Sequence, residues 1–161
     1  APFFLLDCAG ADYGHQHCRG QYGPVEVYGA RGSRASLLLD LDLDGDLDII
    51  TSDFNSEPTV LISDLSERKA VLRYLEVELV GTRSNRGGLG AVVRLRVGER
   101  TYTRLRDGRS GYLSQSLLPL YFGLDRADAV ASLEVRWPSG VRQTLAGPIA
   151  ANQRIVVEEP R

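Results

Sequence analysis

The chain has 161 residues, of which 43% are hydrophobic and 25% are charged, and its formal net charge at pH 7 is −2. These values are typical of one soluble globular domain, or of one domain with a small appendage. The slightly acidic balance argues against a protein that binds nucleic acid or an anionic membrane. No apolar run approaches the roughly 18 residues that a membrane-spanning helix needs.

The N-terminal segment begins with an apolar stretch. The chain starts at alanine, which is what cleavage of a signal peptide after a small residue would leave, so we expect a secreted protein whose signal peptide has been removed. Residues 1–6 have the composition of a short strand. We expect this strand to pair either within its own sheet or with an edge strand of another copy, which would build a polymer.

Two cysteines and two histidines follow, and they allow three interpretations. Cys8 and Cys18 are close enough in a secreted chain to favour a disulfide, which would stabilise the fold by constraining the unfolded chain. Together with His15 and His17 they also offer a Cys2His2 ligand set for zinc or copper(I), although the spacing is not a standard one. Free thiols are the third alternative.

The most unusual stretch is a run of alternating acidic residues between two apolar segments. It contains Asp40, Asp42, Asp44, Asp46 and Asp48, in the pattern D-x-D-x-D-G-x-x-D. Calcium takes six to eight oxygen ligands at about 2.3–2.6 Å, and alternate residues of a tight loop can direct their oxygens to one centre. We expect carboxylates from the first three aspartates, the backbone carbonyl of Asp46, and Asp48 directly or through water.

The neighbouring residues distinguish this loop from an EF-hand. Gly45 permits a sharp turn because it has no Cβ, but Thr51 occupies the position where an EF-hand carries a bidentate glutamate. Residues 36–39 and 48–51 are strand-like, so the pattern predicts a strand–loop–strand site for Ca²⁺. A solvated acidic turn is the alternative. It explains neither the glycine nor the concentration of like charge, which a bound cation would relieve.

Period-two alternation of apolar and polar residues dominates the rest of the chain. It is clearest at residues 74–80, 91–97 and 132–137, and further strand candidates are residues 36–39, 48–51, 59–63, 100–106, 119–122, 141–145 and 154–159. Short helices are predicted at residues 65–71 and 126–130. About ten short strands joined by glycine-containing turns predict an all-β fold, either a β-sandwich or a β-barrel, with one strand–loop–strand hairpin.

Two parts of the sequence resemble known families. The stretch "LLLDLDLDGDLDIITSDFN" resembles the calcium loops of FG-GAP/VCBS β-propeller repeats, and residues 77–98, 106–125, 134–145 and 147–157 resemble the ASPIC/UnbV domain. The resemblance implies a calcium-binding hairpin at 33–66 and an ASPIC/UnbV-like β-sandwich at 67–161. Residues 1–32 lie outside the resemblance, and we expect them to form an N-terminal segment packed on the main domain. The sequence contains one such calcium loop. Because a single blade cannot close a β-propeller, these residues alone are not expected to form one.

The resemblance implies an extracellular, calcium-dependent and non-catalytic interaction role. The expected partner is an extracellular protein, a glycan or another copy of the chain. The alternative function is a carbohydrate-binding sandwich, for which four tyrosines could form a platform: Tyr13, Tyr22, Tyr28 and Tyr102.

Other motifs favour structural roles over chemical ones. Residues 110–116 contain three serines, but the two histidines of the chain lie far away in sequence, so a hydrolase is disfavoured. The glycine-rich residues 85–90 lack the lysine and serine or threonine of a phosphate-binding loop and are predicted to form a turn. Trp137 is predicted to pack in the core.

Overall fold

The computed structural model describes residues 4–27, 32–54, 57–68 and 72–161. Within these ranges the chain forms twelve β-strands, one short α-helix and a 3-10 turn at Gln16–Cys18. In chain order the main elements are β1 Phe4–Asp7, β2 Pro24–Val27, β3 Gly32–Leu39, β4 Asp48–Phe54, β5 Thr59–Leu61, α1 Leu65–Arg68, β6 Tyr74–Val80, β7 Val92–Val97, β8 Arg100–Leu105, β9 Leu120–Gly123, β10 Ala129–Arg136, β11 Arg142–Ala150 and β12 Gln153–Glu158. The predicted all-β fold is confirmed, and no described helix has the length and apolar character that a membrane crossing needs.

Two sheets pack face to face and form the sandwich. One has the strand order β11-β10-β7-β8 and is antiparallel throughout; the other has the order β12-β6-β9, with β12 parallel to β6. The alternation predicted from sequence decides which side chains face inward. Leu75 and Val77 from one sheet and Leu95 and Leu133 from the other are fully buried in the same hydrophobic cluster. Burial of these alternate positions fixes the register of both sheets.

Trp137 lies in this core, as predicted, and its indole nitrogen donates a 2.9 Å hydrogen bond to the side-chain oxygen of Gln143. The glycine-rich residues 85–90 form the predicted turn between β6 and β7. Gly88 has a φ of +64°, and a Cβ there would lie 2.9 Å from the Cβ of Leu79. The glycine is therefore needed by packing as well as by backbone conformation.

The strands β3, β4 and β5 form a separate antiparallel sheet in that order. A loop of the sandwich pairs with it: the Ser36 amide donates to the Ser110 carbonyl, and the Tyr112 amide donates to the Arg34 carbonyl, at 2.9 and 2.7 Å. Gly111 permits this approach, because a Cβ at that position would lie 2.7 Å from the Cα of Ala35. Backbone pairing thus connects the hairpin sheet to the sandwich.

A buried arginine holds the same sandwich loop in place. Arg106 is 5% exposed, and its guanidinium donates to the carbonyls of Leu117, Leu118 and Gly87. Desolvation lowers the pKa of this guanidinium, while the charge of Glu78 opposes the change. Carbonyl acceptors satisfy the buried donors in place of a carboxylate.

The N-terminal segment forms a two-stranded antiparallel sheet of β1 and β2, in which Leu6 lies opposite Val25. Cys8 and Cys18 form a disulfide that packs against these side chains. The disulfide prediction is confirmed, and the Cys2His2 alternative is wrong because oxidised sulfurs offer no thiolate to a metal. The described part of residues 1–6 pairs within its own chain; residues 1–3 lie outside the described residues.

Two local predictions fail. The helix predicted at residues 126–130 is wrong: Asp125 has a left-handed φ of +58°, the chain turns, and β10 begins at Ala129. Val130 is fully buried in that strand, so strand pairing and burial override the local helical propensity. The helix predicted at residues 65–71 exists as Leu65–Arg68, and its last three predicted residues lie outside the described ones. The strand Pro24–Val27 was not predicted.

A buried carboxylate, that of Glu159, directly follows the C-terminal strand β12. Glu159 accepts hydrogen bonds from the backbone amides of Thr82, Arg83 and Ser84 and from the hydroxyls of Ser84 and Ser139. Desolvation raises the pKa of Glu159, but the hydrogen bonds from Ser139, Ser84 and Arg83 outweigh it and lower the pKa to about 2. Successive amides form an anion-binding nest here, and it fastens the end of β12 to the loop after β6.

The hydrogen-bonded carboxylate of Glu159 predicts a contribution to stability that is lost in acid. The pKa of Glu159 is depressed from 4.5 to about 2 on folding, so its contribution is fully present above pH 4.5 and is lost as the pH falls toward 2. We expect Glu159→Gln to lower the melting temperature at pH 7 and to weaken the fall in stability between pH 4.5 and 2. Thermal denaturation across this range measures both effects.

Glu158→Gln is the matched control, because it removes the same charge one residue away at an exposed position. It should follow the wild-type curve. If the melting temperatures of the two variants depend on pH in the same way, the hydrogen-bonded carboxylate of Glu159 is not the source of the acid sensitivity.

Candidate metal centre

The acidic run forms the loop between β3 and β4. The strands pair up to Leu39 opposite Asp48, so residues 40–47 must turn within a short span. Leu43 and Gly45 both adopt positive φ angles, +64° and +96°. The predicted strand–loop–strand arrangement is therefore present, and it places all five aspartates at one end of the hairpin sheet.

Three of the five aspartates come together. Asp40, Asp42 and Asp48 each offer one carboxylate oxygen, and these oxygens all lie within 4.8 Å of one another. Oxygens on opposite sides of one calcium ion, each about 2.3–2.6 Å from it, lie roughly 5 Å apart. The three carboxylates can therefore share one cation of this size.

Backbone amides hold two of these carboxylates in position. The oxygens of Asp40 accept from the amides of Asp44 and Gly45 at 3.1 and 3.0 Å. Those of Asp48 accept from Leu41 and Ser63 at 2.7 and 2.8 Å. A carboxylate oxygen has two lone pairs, so one amide contact leaves each oxygen able to bind a cation.

Asp44 and Asp46 lie outside this group. Asp44 was expected to supply a carboxylate ligand, but its oxygens accept from the Ser66 hydroxyl and from the Asp46 amide. Asp46 was expected to offer its backbone carbonyl to the calcium ion. The surroundings of its side chain are more informative about the site. It is 1% exposed and accepts a 2.7 Å bond from the Ser66 amide through Oδ2. Its Oδ1 is buried and has no hydrogen-bond partner among the described residues.

The pKa values of Asp42 and Asp44 shift in opposite directions. Desolvation raises the pKa of Asp42, and the negative charges of Asp44 and Asp48 raise it further. The hydroxyl of Ser66 lowers the pKa of Asp44, with help from the Asp46 amide. Repulsion among like charges is thus relieved at Asp44 by hydrogen bonds and persists at Asp42.

Two tyrosines of the sandwich support the loop. Tyr74 on β6 and Tyr121 on β9 stack with ring centroids 5.4 Å apart and planes 9° from parallel. The Tyr121 hydroxyl donates a 2.8 Å hydrogen bond to the Gly45 carbonyl. Burial raises the pKa of Tyr121 to about 12, with further contributions from Tyr74 and the nearby acidic groups. The tyrosine therefore stays protonated and able to donate.

A cleft of about 780 Å³ lies between the loop and the sandwich. Asp46 and Leu65 line one side, and Leu72, Tyr121 and Asp128 line the other. The cleft therefore lies beside the hydrogen bond from Tyr121 to Gly45 that joins the acidic loop to the sandwich.

Of the remaining sequence candidates, the structure describes three of the four tyrosines and the serines at 110–116. Tyr102 is half-buried and packs against the sandwich core, so it is not available to a carbohydrate platform with the exposed Tyr13 and Tyr22. Tyr28 lies outside the described residues. The hydroxyls of Ser110 and Ser114 bond to each other at 2.8 Å.

Sequence reasoning missed Ser63, Ser66, Tyr74 and Tyr121, the side chains and amides that position the loop. All four lie outside the aspartate pattern, and the two tyrosines reach the loop only through the fold. No local sequence signal marks the two tyrosines. The only local cue to the two serines is their place after β5, near the start of α1.

The fold and the loop together define an all-β module in which a sandwich carries an acidic strand–loop–strand hairpin. The family model described as ASPIC and UnbV matches residues 81–161, which is half of the chain. The chain belongs to this family. The match begins after β6, although β6 is the central strand of the three-stranded sheet, so the folded sandwich extends beyond the matched residues. No curated protein matches the chain.

The tyrosine stack predicts a strict requirement for glycine at position 45. A Cβ there would lie 2.7 Å from Cε1 of Tyr74, in a left-handed backbone conformation that alanine adopts poorly. We expect Gly45→Ala to reduce the free energy of unfolding by at least about 2 kcal/mol, measured by urea denaturation.

Gly140→Ala separates the steric clash from the backbone strain. Gly140 has a φ of +91°, close to that of Gly45, but a Cβ there meets no atom within 4 Å. We expect this control to lose only about 1 kcal/mol. Equal losses in the two variants would mean that the tyrosine does not constrain the loop.

Proposed function

We propose that this protein is a secreted, calcium-binding structural module without catalytic activity. The observation that carries the proposal is the convergence of the Asp40, Asp42 and Asp48 oxygens within 4.8 Å. Three carboxylates at this distance repel one another, and a divalent cation would convert the repulsion into attraction. The all-oxygen donor set is suited to a hard cation such as Ca²⁺.

The buried oxygen of Asp46 supports a cation at this loop. A buried charged oxygen without a hydrogen bond is unfavourable by at least about 1–3 kcal/mol, and such groups are rare in native proteins. A cation bound in the loop would reduce that penalty electrostatically, even without direct coordination by Asp46. A plain acidic turn would leave the penalty uncompensated.

The ion would act as a structural bridge. Its ligands follow β3 and begin β4, and the same loop contacts the sandwich through the hydrogen bond from Tyr121 to Gly45. The amides of Ser63 and Ser66 add the segment after β5. Binding would therefore stabilise the hairpin and its contact with the sandwich together.

The proposed site predicts that calcium stabilises the native fold. Binding to the native state alone contributes about 2.7 kcal/mol at a hundredfold excess over the Kd. For a chain of this length, that corresponds to a rise of about 5–10 °C in the melting temperature. Differential scanning calorimetry with Ca²⁺ and with chelator measures it, and isothermal titration calorimetry gives the stoichiometry.

Asp42→Asn should abolish the calcium-dependent rise, because it removes the ligand whose charge is least compensated. Asp125→Asn is the control: Asp125 is exposed, and asparagine also tolerates its left-handed φ of +58°. The control should respond to calcium as the wild type does. A wild-type melting curve unchanged by chelator would rule out the site.

We further propose an extracellular location and self-association through the N-terminal sheet. The Cys8–Cys18 disulfide supports an oxidising compartment. In the described part of the chain, β1 and β2 pair only with each other, so each has an outer edge without a neighbouring strand. Leu5 is 62% exposed on β1, and open edges of this kind promote pairing between copies.

Self-association by this route predicts a concentration-dependent increase in mass that Leu5→Lys suppresses, because a charged side chain on an edge strand opposes pairing. Multi-angle light scattering over a range of concentrations, with and without calcium, measures it. Val156→Lys is the control, since Val156 is 61% exposed on β12, which lies at the edge of a different sheet.

The control should associate as the wild type does. A wild-type chain that remains monomeric at high concentration in calcium would contradict self-association. Suppression by Val156→Lys alone would contradict the assignment to the N-terminal sheet.

A further inference from the structure

The outer face of the four-stranded sheet carries a group of arginines that we call the arginine face: Arg94, Arg96, Arg136 and Arg142. The register places Arg136 directly opposite Arg142, and Arg94 and Arg96 lie two residues apart on β7. All four are exposed, whereas the alternate residues of β7 and β10 are buried in the core and those beside Arg142 on β11 are partly buried. Alternation along a strand therefore directs the four side chains to solvent.

Charge on this face is poorly balanced. At the paired positions of the four strands, the outward residues beside the arginines include one acid, Glu134, which lies directly opposite Arg94, together with Thr101, Thr103 and Thr144. Among the described residues, no ion pair within 4.0 Å involves any of the four arginines. Like charges directly opposite each other, as in Arg136 and Arg142, destabilise a sheet. The pairing of Glu134 with Arg94 is favourable for the sheet, but stability of the fold does not explain why Arg136 faces Arg142.

We propose that the arginine face binds a linear sulfated polysaccharide. With about 3.4 Å per residue and about 4.8 Å between strands, the arginines form a diagonal band about 17 Å long from Arg142 to Arg96. Guanidinium groups bind oxyanions through two parallel hydrogen bonds, and the band presents four of them in sequence. A linear band of this kind matches a chain with anionic groups at intervals.

The composition of the face favours a polysaccharide over a nucleic acid. At its paired positions the face has no aromatic side chain on which a base could stack. The face is the surface of a four-stranded sheet, which is not the protruding helix or two-stranded ribbon that enters a DNA groove.

The test uses a heparin oligosaccharide of about twelve sugars as the probe. Its affinity for the full chain is measured by isothermal titration calorimetry at several salt concentrations around 0.15 M. We expect binding that weakens as salt rises, because charge neutralisation releases counterions. Replacing all four arginines of the face by glutamine should weaken binding at least tenfold. Replacing them by lysine, which keeps the charge and loses the paired hydrogen bonds, should weaken it by less.

The matched control replaces four other exposed arginines by glutamine: Arg19, Arg86, Arg109 and Arg126. It has the same net charge as the face variant, so binding should stay within about threefold of wild type if the face is responsible. Chelator should not change the affinity, which separates this proposal from the calcium site. Circular dichroism melting curves establish that each variant is folded.

Several results would overturn the proposal. Absence of heparin binding by the wild type, or equal losses in the face and control variants, would remove the assignment. Tighter binding of a DNA duplex than of the oligosaccharide would make the partner a nucleic acid. Oligomers of the wild type that the face variant alone fails to form would make the occupant a second copy of the chain.

Discussion

The stacked pair Tyr74 and Tyr121 is the contact on which the geometry of the acidic loop depends. The two residues occupy diagonal positions on adjacent strands, and Gly123, opposite Tyr74, leaves room for the rings to stack. Burial of Leu75 and Phe122 on the other face of the same strands fixes that register. The hydrophobic core therefore determines where the Tyr121 hydroxyl lies, and the hydroxyl determines where Gly45 and its loop lie.

The five aspartates show how one loop accommodates a like-charge cluster in different ways. Asp40 and Asp48 accept backbone amides, and Asp44 accepts a hydroxyl and an amide. Asp42 is left with its pKa raised by desolvation and by its neighbours. At Asp40, Asp44 and Asp48, hydrogen-bond donors offset part of the repulsion among the carboxylates, whereas at Asp42 desolvation and the neighbouring charges outweigh such contacts. The uncompensated charge at Asp42 is what a bound cation would neutralise.

Local pattern predicts the strands better than it predicts the contacts between them. The alternation of residues 74–80 and the bounds of β6 agree because each buried position is apolar. The helix predicted at residues 126–130 is wrong because a pattern over so few residues cannot separate a helix from a turn and the start of a strand. The nest around Glu159 joins residues more than seventy positions apart, and Ser66 reaches the loop from twenty positions away. Such contacts depend on topology, which no local spacing encodes.

The net charge of −2 conceals a separation of charge across the molecule. Five aspartates concentrate at one end of the hairpin sheet, while the arginine face, with one acid, lies on the outward surface of a different sheet. An argument from net charge alone therefore excludes too much, because an anionic partner responds to the local surface within about 8 Å at physiological salt. A module with separate cationic and anionic surfaces could bind calcium at one and a polyanion at the other. Because the carboxylates and the arginines occupy different sheets, mutations of either set should leave the other set's binding unchanged.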